Sequence, residues 1–174
     1  MEPYFCPVGW RRIAVDVGLN GNAFHEKYDD WIVAYHGTAH TNAMKILESG
    51  LRCSDYGVFH TAGVESALYV TPSIEYAGHS RYAKVFKHGN LFLQQVLQVR
   101  LNPALLSAKE CATYGTSKVG HLIDRNFKNS ELTWVVKKPP GTFLKADDGV
   151  VIYGLMLRVS DKDPKFLPQN IWWE

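Results

Sequence analysis

Residues 31–51, WIVAYHGTAHTNAMKILESGL, join an apolar run to an amphipathic segment through the pair His36-Gly37. Ile32 and Val33 are β-branched, so the run predicts a buried strand that ends near His36. Beyond it, Thr41 is placed to cap a helix whose apolar positions Ala43, Ile46 and Leu47 share a face, and Gly50 stops that helix. A histidine and a glycine at such a junction have two readings. The pair is either a tight turn that contains a histidine, or the floor of a pocket.

The flanking sequence supplies the other elements. Residues 12–17 read as a short strand, followed by a polar loop through Gly18, Asn20, Gly21 and Asn22. ALYVTPS (67–73) is a strand broken by Pro72, and Ser73 can cap a helix over about 74–86 with Tyr76, Ala77, Tyr82 and Ala83 near one face. NLFLQQVLQVRL (90–101), closed by Pro103, is the strongest strand candidate. ELTWVVKK (131–138) and VVIYGLMLRVS (150–160) are β-rich, with KKPPGT and KADDGV as turns between them. The tail PKFLPQNIWWE (164–174) is expected to dock Trp172 and Trp173 on the body. The pattern predicts a single α+β domain over residues 1–174, with more strand than helix and an antiparallel or mixed sheet.

Composition narrows the class. Hydrophobic residues at 46% and charged residues at 21% describe an ordinary globule, and a net charge of +2 is too small to argue for nucleic-acid binding. Cys6, Cys53 and Cys111 are odd in number and far apart, so neither a zinc site nor a disulfide framework is indicated. His40, His60, His79, His88 and His121 show no metal-ligand spacing. The start, MEPYFCPVGW, has no apolar core of signal-peptide length, and no apolar run approaches the roughly 20 residues of a bilayer span. The expectation is a metal-free, monomeric, intracellular protein of the cytoplasm or nucleus, with no membrane attachment.

Three residue groups invite chemistry. Tyr69 and Tyr76 stand seven apart with Ser73 between them. Glu131 lies among Leu132, Trp134 and Val135, where a buried, unpartnered carboxylate would cost several kcal/mol, so it either faces solvent or is held for a purpose. Arg52 follows the stop of the first helix. Plain structural roles compete at each position: a core tyrosine at 69, a packing tyrosine at 76, a helix cap at 73, an edge-strand charge at 131, a solvated cation at 52.

Four motifs in order, YHGT (35–38), ILESGLR (46–52), ALYVTPSIEYA (67–77) and NSELTWV (129–135), resemble the poly(ADP-ribose) polymerase-like ADP-ribosyltransferases with a His-Tyr-Glu triad. The resemblance covers about residues 31–136, and VLQVRLNP fits the long central strand of that fold. It implies an ADP-ribosyltransferase-like fold, NAD+ as co-substrate and no metal. His36, Tyr69 and Glu131 would be the catalytic set. His36 would bond the adenosine ribose, and the Gly37 backbone and Ser73 would hold the nicotinamide carboxamide. Tyr69 and Tyr76 would sandwich the nicotinamide ring, and Thr38 and Arg52 would complete the cofactor contacts, Arg52 on the adenine side. Glu131 would face the nicotinamide ribose.

The chemistry suits these residue types. Glycine lets a ligand amide approach the backbone, so a side chain at 37 is expected to cost binding before stability. Cleaving the glycosidic bond develops oxocarbenium character, which a fixed carboxylate stabilises in a water-poor pocket. The implied activity is transfer of single ADP-ribose units to a macromolecule, with protein as the expected acceptor and nucleic acid as the alternative. The approach VESALYV lacks the glycines of many family members, and the compact interval from Tyr69 to Glu131 leaves little room for an elaborate acceptor loop. Two rivals stand beside this reading. One is a binding module of the same fold without turnover. The other is an RNA 2′-phosphotransferase relative, which also consumes NAD but uses histidine and arginine clusters that this chain does not present.

Overall fold

The eleven-residue strand β6 (Leu91–Leu101) is the spine of the protein, and its sequence explains why. Alternate residues Leu97, Val99 and Leu101 are completely buried on one face, each worth about 1.5–3 kcal/mol of burial. In this computed structural model, which describes residues 6–54, 66–107 and 122–163, β6 pairs with β9 (Val150–Ser160) along one side. Along its other side run β2 (Ile32–Gly37) and the short β5 (Phe86–His88). β1 (Arg11–Ala14) lies beyond β9 at the edge. Two small ribbons complete the β structure: β3 (Leu51–Arg52) with β8 (Phe143–Leu144), and β4 (Ala67–Val70) with β7 (Trp134–Lys137). Every pairing among the described strands is antiparallel. The fold is α+β with strand predominating, as the sequence pattern predicts.

The main core lies between the large sheet and the two ribbons. Ala34, Leu97, Val99, Leu101 and Val150 of the sheet meet Leu51, Cys53, Leu68, Val70, Val136 and Leu144. A bulge keeps β9 in step: Gln98 faces Gly154 while Val99 faces Ile152, so Tyr153 is the extra residue. The opposite face of the sheet packs Tyr35, Val96 and Met156 against Trp10, Ile74, Ala77 and Ala83. Two stitches tie the ribbons to β2 and β3. The Tyr35 and Thr71 backbones exchange hydrogen bonds of 2.7 and 3.0 Å, and the Ser54 N–H donates to the Ala67 carbonyl at 3.2 Å.

Three local expectations need correction. The polar loop read at residues 18–22 opens the helix α1 (Gly21–Tyr28), with the Asn20 side chain accepting from the Ala23 N–H. Thr41 does not cap α2 (His40–Ser49); Ala39 occupies that position without a side-chain bond. Gly50 does end α2, with a φ of 91° that favours glycine. The helix expected over about 74–86 is the single turn α3 (Ile74–Ala77), capped by Ser73 as predicted. The chain turns back because Gln94 of β6 takes the Gly78 and Ala83 carbonyls at 2.7 and 2.5 Å. The placements of Trp172 and Trp173 and of Cys111, His60 and His121 lie outside the described residues.

Candidate functional site

A cavity of about 580 Å³ opens between β2, α2, β3, β4 and α3. Its floor is the run from Ala67 to Thr71, and the two stitches mark its ends. Ser54 lies opposite Ala67 and Tyr35 opposite Thr71, four strand residues or about 13 Å apart. The ends differ in chemistry. Tyr76, Tyr82 and Thr133 gather at the Thr71 end, while Arg52 stands next to the Ser54 end. One face of α2, bearing Asn42, Lys45, Ile46 and Ser49, forms a side wall.

His36, the next-to-last residue of β2, is fixed from below. Its Nδ1 lies 2.9 Å from the Tyr69 carbonyl oxygen, which has no proton to give, so Nδ1–H is the donor and Nε2 carries the lone pair. Burial pushes the imidazole pKa below its ordinary value, against a smaller opposing effect of that hydrogen bond. The ring is therefore a neutral acceptor at physiological pH.

Tyr76 projects from α3 with its ring edge-on to Tyr82, centroids 5.5 Å apart. The two hydroxyls are 3.0 Å apart, and Thr133 Oγ1 donates to the Tyr76 hydroxyl at 3.4 Å. Tyr76 also packs on Ile123 and Leu132, so its orientation is set by core contacts as well as hydroxyls.

Six of the eight residues singled out by sequence surround this one cavity: His36, Gly37, Thr38, Arg52, Tyr69 and Tyr76. Ser73 and Glu131 lie outside its lining. Ser73 is fully buried, its Oγ accepting from the Tyr76 N–H at 3.1 Å and donating to Asp124 Oδ2 at 2.6 Å. Glu131 is not at the start of a strand but in a 3₁₀ turn over Asn129–Glu131. Its Oε2 accepts from the Lys128 N–H at 3.0 Å, and Oε1 is 4.0 Å from the Lys128 ammonium.

Gly37 changes meaning. A Cβ there would overlap the Ala77 carbonyl oxygen and lie 2.7 Å from Tyr82 Cβ. The close approach that excludes a side chain is the protein's own packing of α3 and Tyr82 on β2. The opening alternatives are therefore both present: Gly37 is a packing necessity, and it also lines a pocket.

Asn42, Lys45, Ser49, Tyr82 and Thr133 line the cavity and were not singled out by sequence. The spacing of Asn42, Lys45 and Ser49, at i, i+3 and i+7, is a helix-face signal, but polar residues at that spacing read equally as a solvated face. Among the described residues no carboxylate lines the cavity, whereas Lys45 and Arg52 do. The arrangement offers an aromatic end, a neutral imidazole acceptor and a cationic side. Among the described residues no group of three or more His, Cys, Asp or Glu side chains could hold a metal ion, and no helix is long and apolar enough to cross a membrane. No family model matches the chain, and no curated protein matches it in sequence.

Proposed function

We propose that the cavity binds NAD+ and that the protein transfers its ADP-ribose unit, one at a time, to a macromolecular acceptor inside the cell, with protein as the acceptor class. The observation that supports this most is His36, locked as a neutral acceptor by Tyr69, between an aromatic end and a cationic side of one cavity. A flat ring at the tyrosines gains about 0.5–1.5 kcal/mol per aromatic contact beyond area burial. His36 Nε2 would accept from a ribose hydroxyl, and the cations would face the phosphates. Cleavage of the nicotinamide–ribose bond leaves positive charge on the ribose, and Glu131 is the carboxylate we assign to it. To act there, Glu131 must give up its contact with the Lys128 N–H, a single exposed hydrogen bond.

That displacement also supports a second reading, a module that binds NAD+ or ADP-ribose without turnover, because Glu131 stands outside the cavity lining. One pair of measurements tests both. Millimolar nicotinamide or benzamide should raise the melting temperature, since binding to the folded state alone stabilises it. Labelled NAD+ incubated with a cell lysate should label acceptors. A shift without labelling leaves the binding module; neither a shift nor labelling removes the NAD+ pocket.

A further inference from the structure

The α2 wall of the cavity has no assigned role in the motifs that suggested NAD+. Asn42, Lys45 and Ser49 lie on one helix face over seven residues, about 10 Å, and line one side of the cavity. Lys45 stands midway along it. Lys45 makes no hydrogen bond or ion pair with the described residues, and Glu48, three residues on, does not line the cavity. With Arg52 beyond Gly50 and no carboxylate among the described residues of the lining, this side carries two cationic side chains.

We infer that the α2 wall is a diphosphate subsite whose specificity-determining residue is Lys45, so that the cavity binds ADP and ADP-ribose without a nicotinamide group. The inference rests on the NAD+ reading for the class of ligand. The wall supplies what a phosphate needs: an ammonium with three donors at Lys45, a hydroxyl at Ser49 and an amide N–H₂ at Asn42. A diphosphate on this wall shares one cavity with the tyrosines and Arg52, with His36 Nε2 left for a ribose hydroxyl. Affinity therefore depends on phosphate count, and it weakens with salt because the wall faces solvent.

Calorimetric titration with adenosine, AMP and ADP tests this, beside benzamide melting shifts on the same proteins. The wild-type protein should bind in the order adenosine, AMP, ADP, with ADP at least about tenfold tighter than adenosine. Lys45→Met keeps the apolar stem and helix propensity but removes the charge. It should lose about tenfold in ADP affinity while its benzamide shift and ligand-free melting temperature stay at wild-type values. Lys45→Arg should retain most of the ADP affinity. Unchanged ADP affinity in Lys45→Met, or adenosine binding as tightly as ADP in the wild type, overturns the subsite. ADP binding that depends on Lys45 without any benzamide shift upholds the subsite and sinks the NAD+ reading. A benzamide shift without ADP binding does the reverse.

Discussion

Arg158 of β9 places its Nη2 at 3.0 and 2.8 Å from the two carboxylate oxygens of Glu75, the residue beside Tyr76 on α3. The same guanidinium lies over the Trp10 ring, 4.5 Å from its centroid, and the Trp10 indole N–H donates to Glu75 at 3.3 Å. A four-residue helix cannot persist on its own hydrogen bonds, because nucleation costs more than one turn returns. This cluster, with the Ser73 cap, is what holds α3 against the sheet and thereby aims Tyr76 into the cavity.

Arg158→Met should therefore destabilise the protein by about 1–2 kcal/mol, the range for losing a partly buried charge-assisted contact. It should also weaken benzamide binding, although Arg158 does not line the cavity. Denaturant melts beside a benzamide titration measure both. A stability loss with unaltered benzamide affinity would mean that the Tyr76 contacts with Tyr82, Ile123 and Leu132 are sufficient to aim the ring.

Gly37→Ala is expected to act on the fold first. The new methyl group collides with backbone at Ala77, which cannot rotate away as a flexible side chain would. Overpacking of this kind costs about 1–3 kcal/mol. Denaturant unfolding of Gly37→Ala should show that loss with an unchanged m-value. A fully stable variant that no longer binds benzamide would restore the idea that the glycine exists for the ligand.

What could be read from sequence alone followed one rule: segments whose own residues satisfy them were legible. β2, β4, β6 and β9 are apolar, β-branched runs, and Gly50 and Ser73 end and begin helices by local chemistry. α1 was hidden because GNAFHEKY has no apolar stripe; Phe24 and Tyr28 find their partners in Tyr153 and Trp31. α3 stops early because of Gln94, on a strand read separately. The candidate site shows the same division. The order of motifs brought six residues to one cavity, while Ser73 bonds to Asp124, remote in sequence, and Glu131 closes a local i,i+3 turn with Lys128 that its apolar neighbours concealed.

Acid should destabilise the protein through His79 and His36. Burial, assisted by the Arg81 charge, lowers the His79 pKa to about 4, and His36 is shifted in the same direction. In the unfolded chain both titrate near 6.5, so between that pH and the folded value the unfolded state binds more protons. The stabilisation is complete above about pH 6.5, falls as pH drops toward about 4, and then levels off, with His79 accounting for at most about 3 kcal/mol. Protonation at His79 Nδ1 would also break the bond it accepts from the Arg81 N–H at 3.0 Å. His79→Asn, which keeps an acceptor that cannot charge, should flatten the slope of unfolding free energy between pH 7 and pH 4.5. An identical slope in the variant would place the acid sensitivity elsewhere.

Glu131→Gln separates catalysis from everything else the cavity does. The amide oxygen of glutamine can still accept from the Lys128 N–H, and the side chain is partly exposed, so stability should change by less than about 1 kcal/mol. NAD+ affinity should also hold, because Glu131 does not line the cavity and its proposed contact tightens only as charge develops on the ribose. Transfer should fall by about a hundredfold or more, the usual consequence of removing one preorganised electrostatic group at a developing charge. Hydrolysis of NAD+ to free ADP-ribose should fall less, because water needs less positioning than a side-chain acceptor. The comparison is NAD+ affinity by titration against the rates of labelled transfer and hydrolysis, for wild type and variant together. An unchanged transfer rate would remove Glu131 from the mechanism and leave no carboxylate among the described residues that line the cavity to replace it. Transfer absent from both proteins, with NAD+ bound equally, would establish the cavity as a binding site whose glutamate serves only the Lys128 turn.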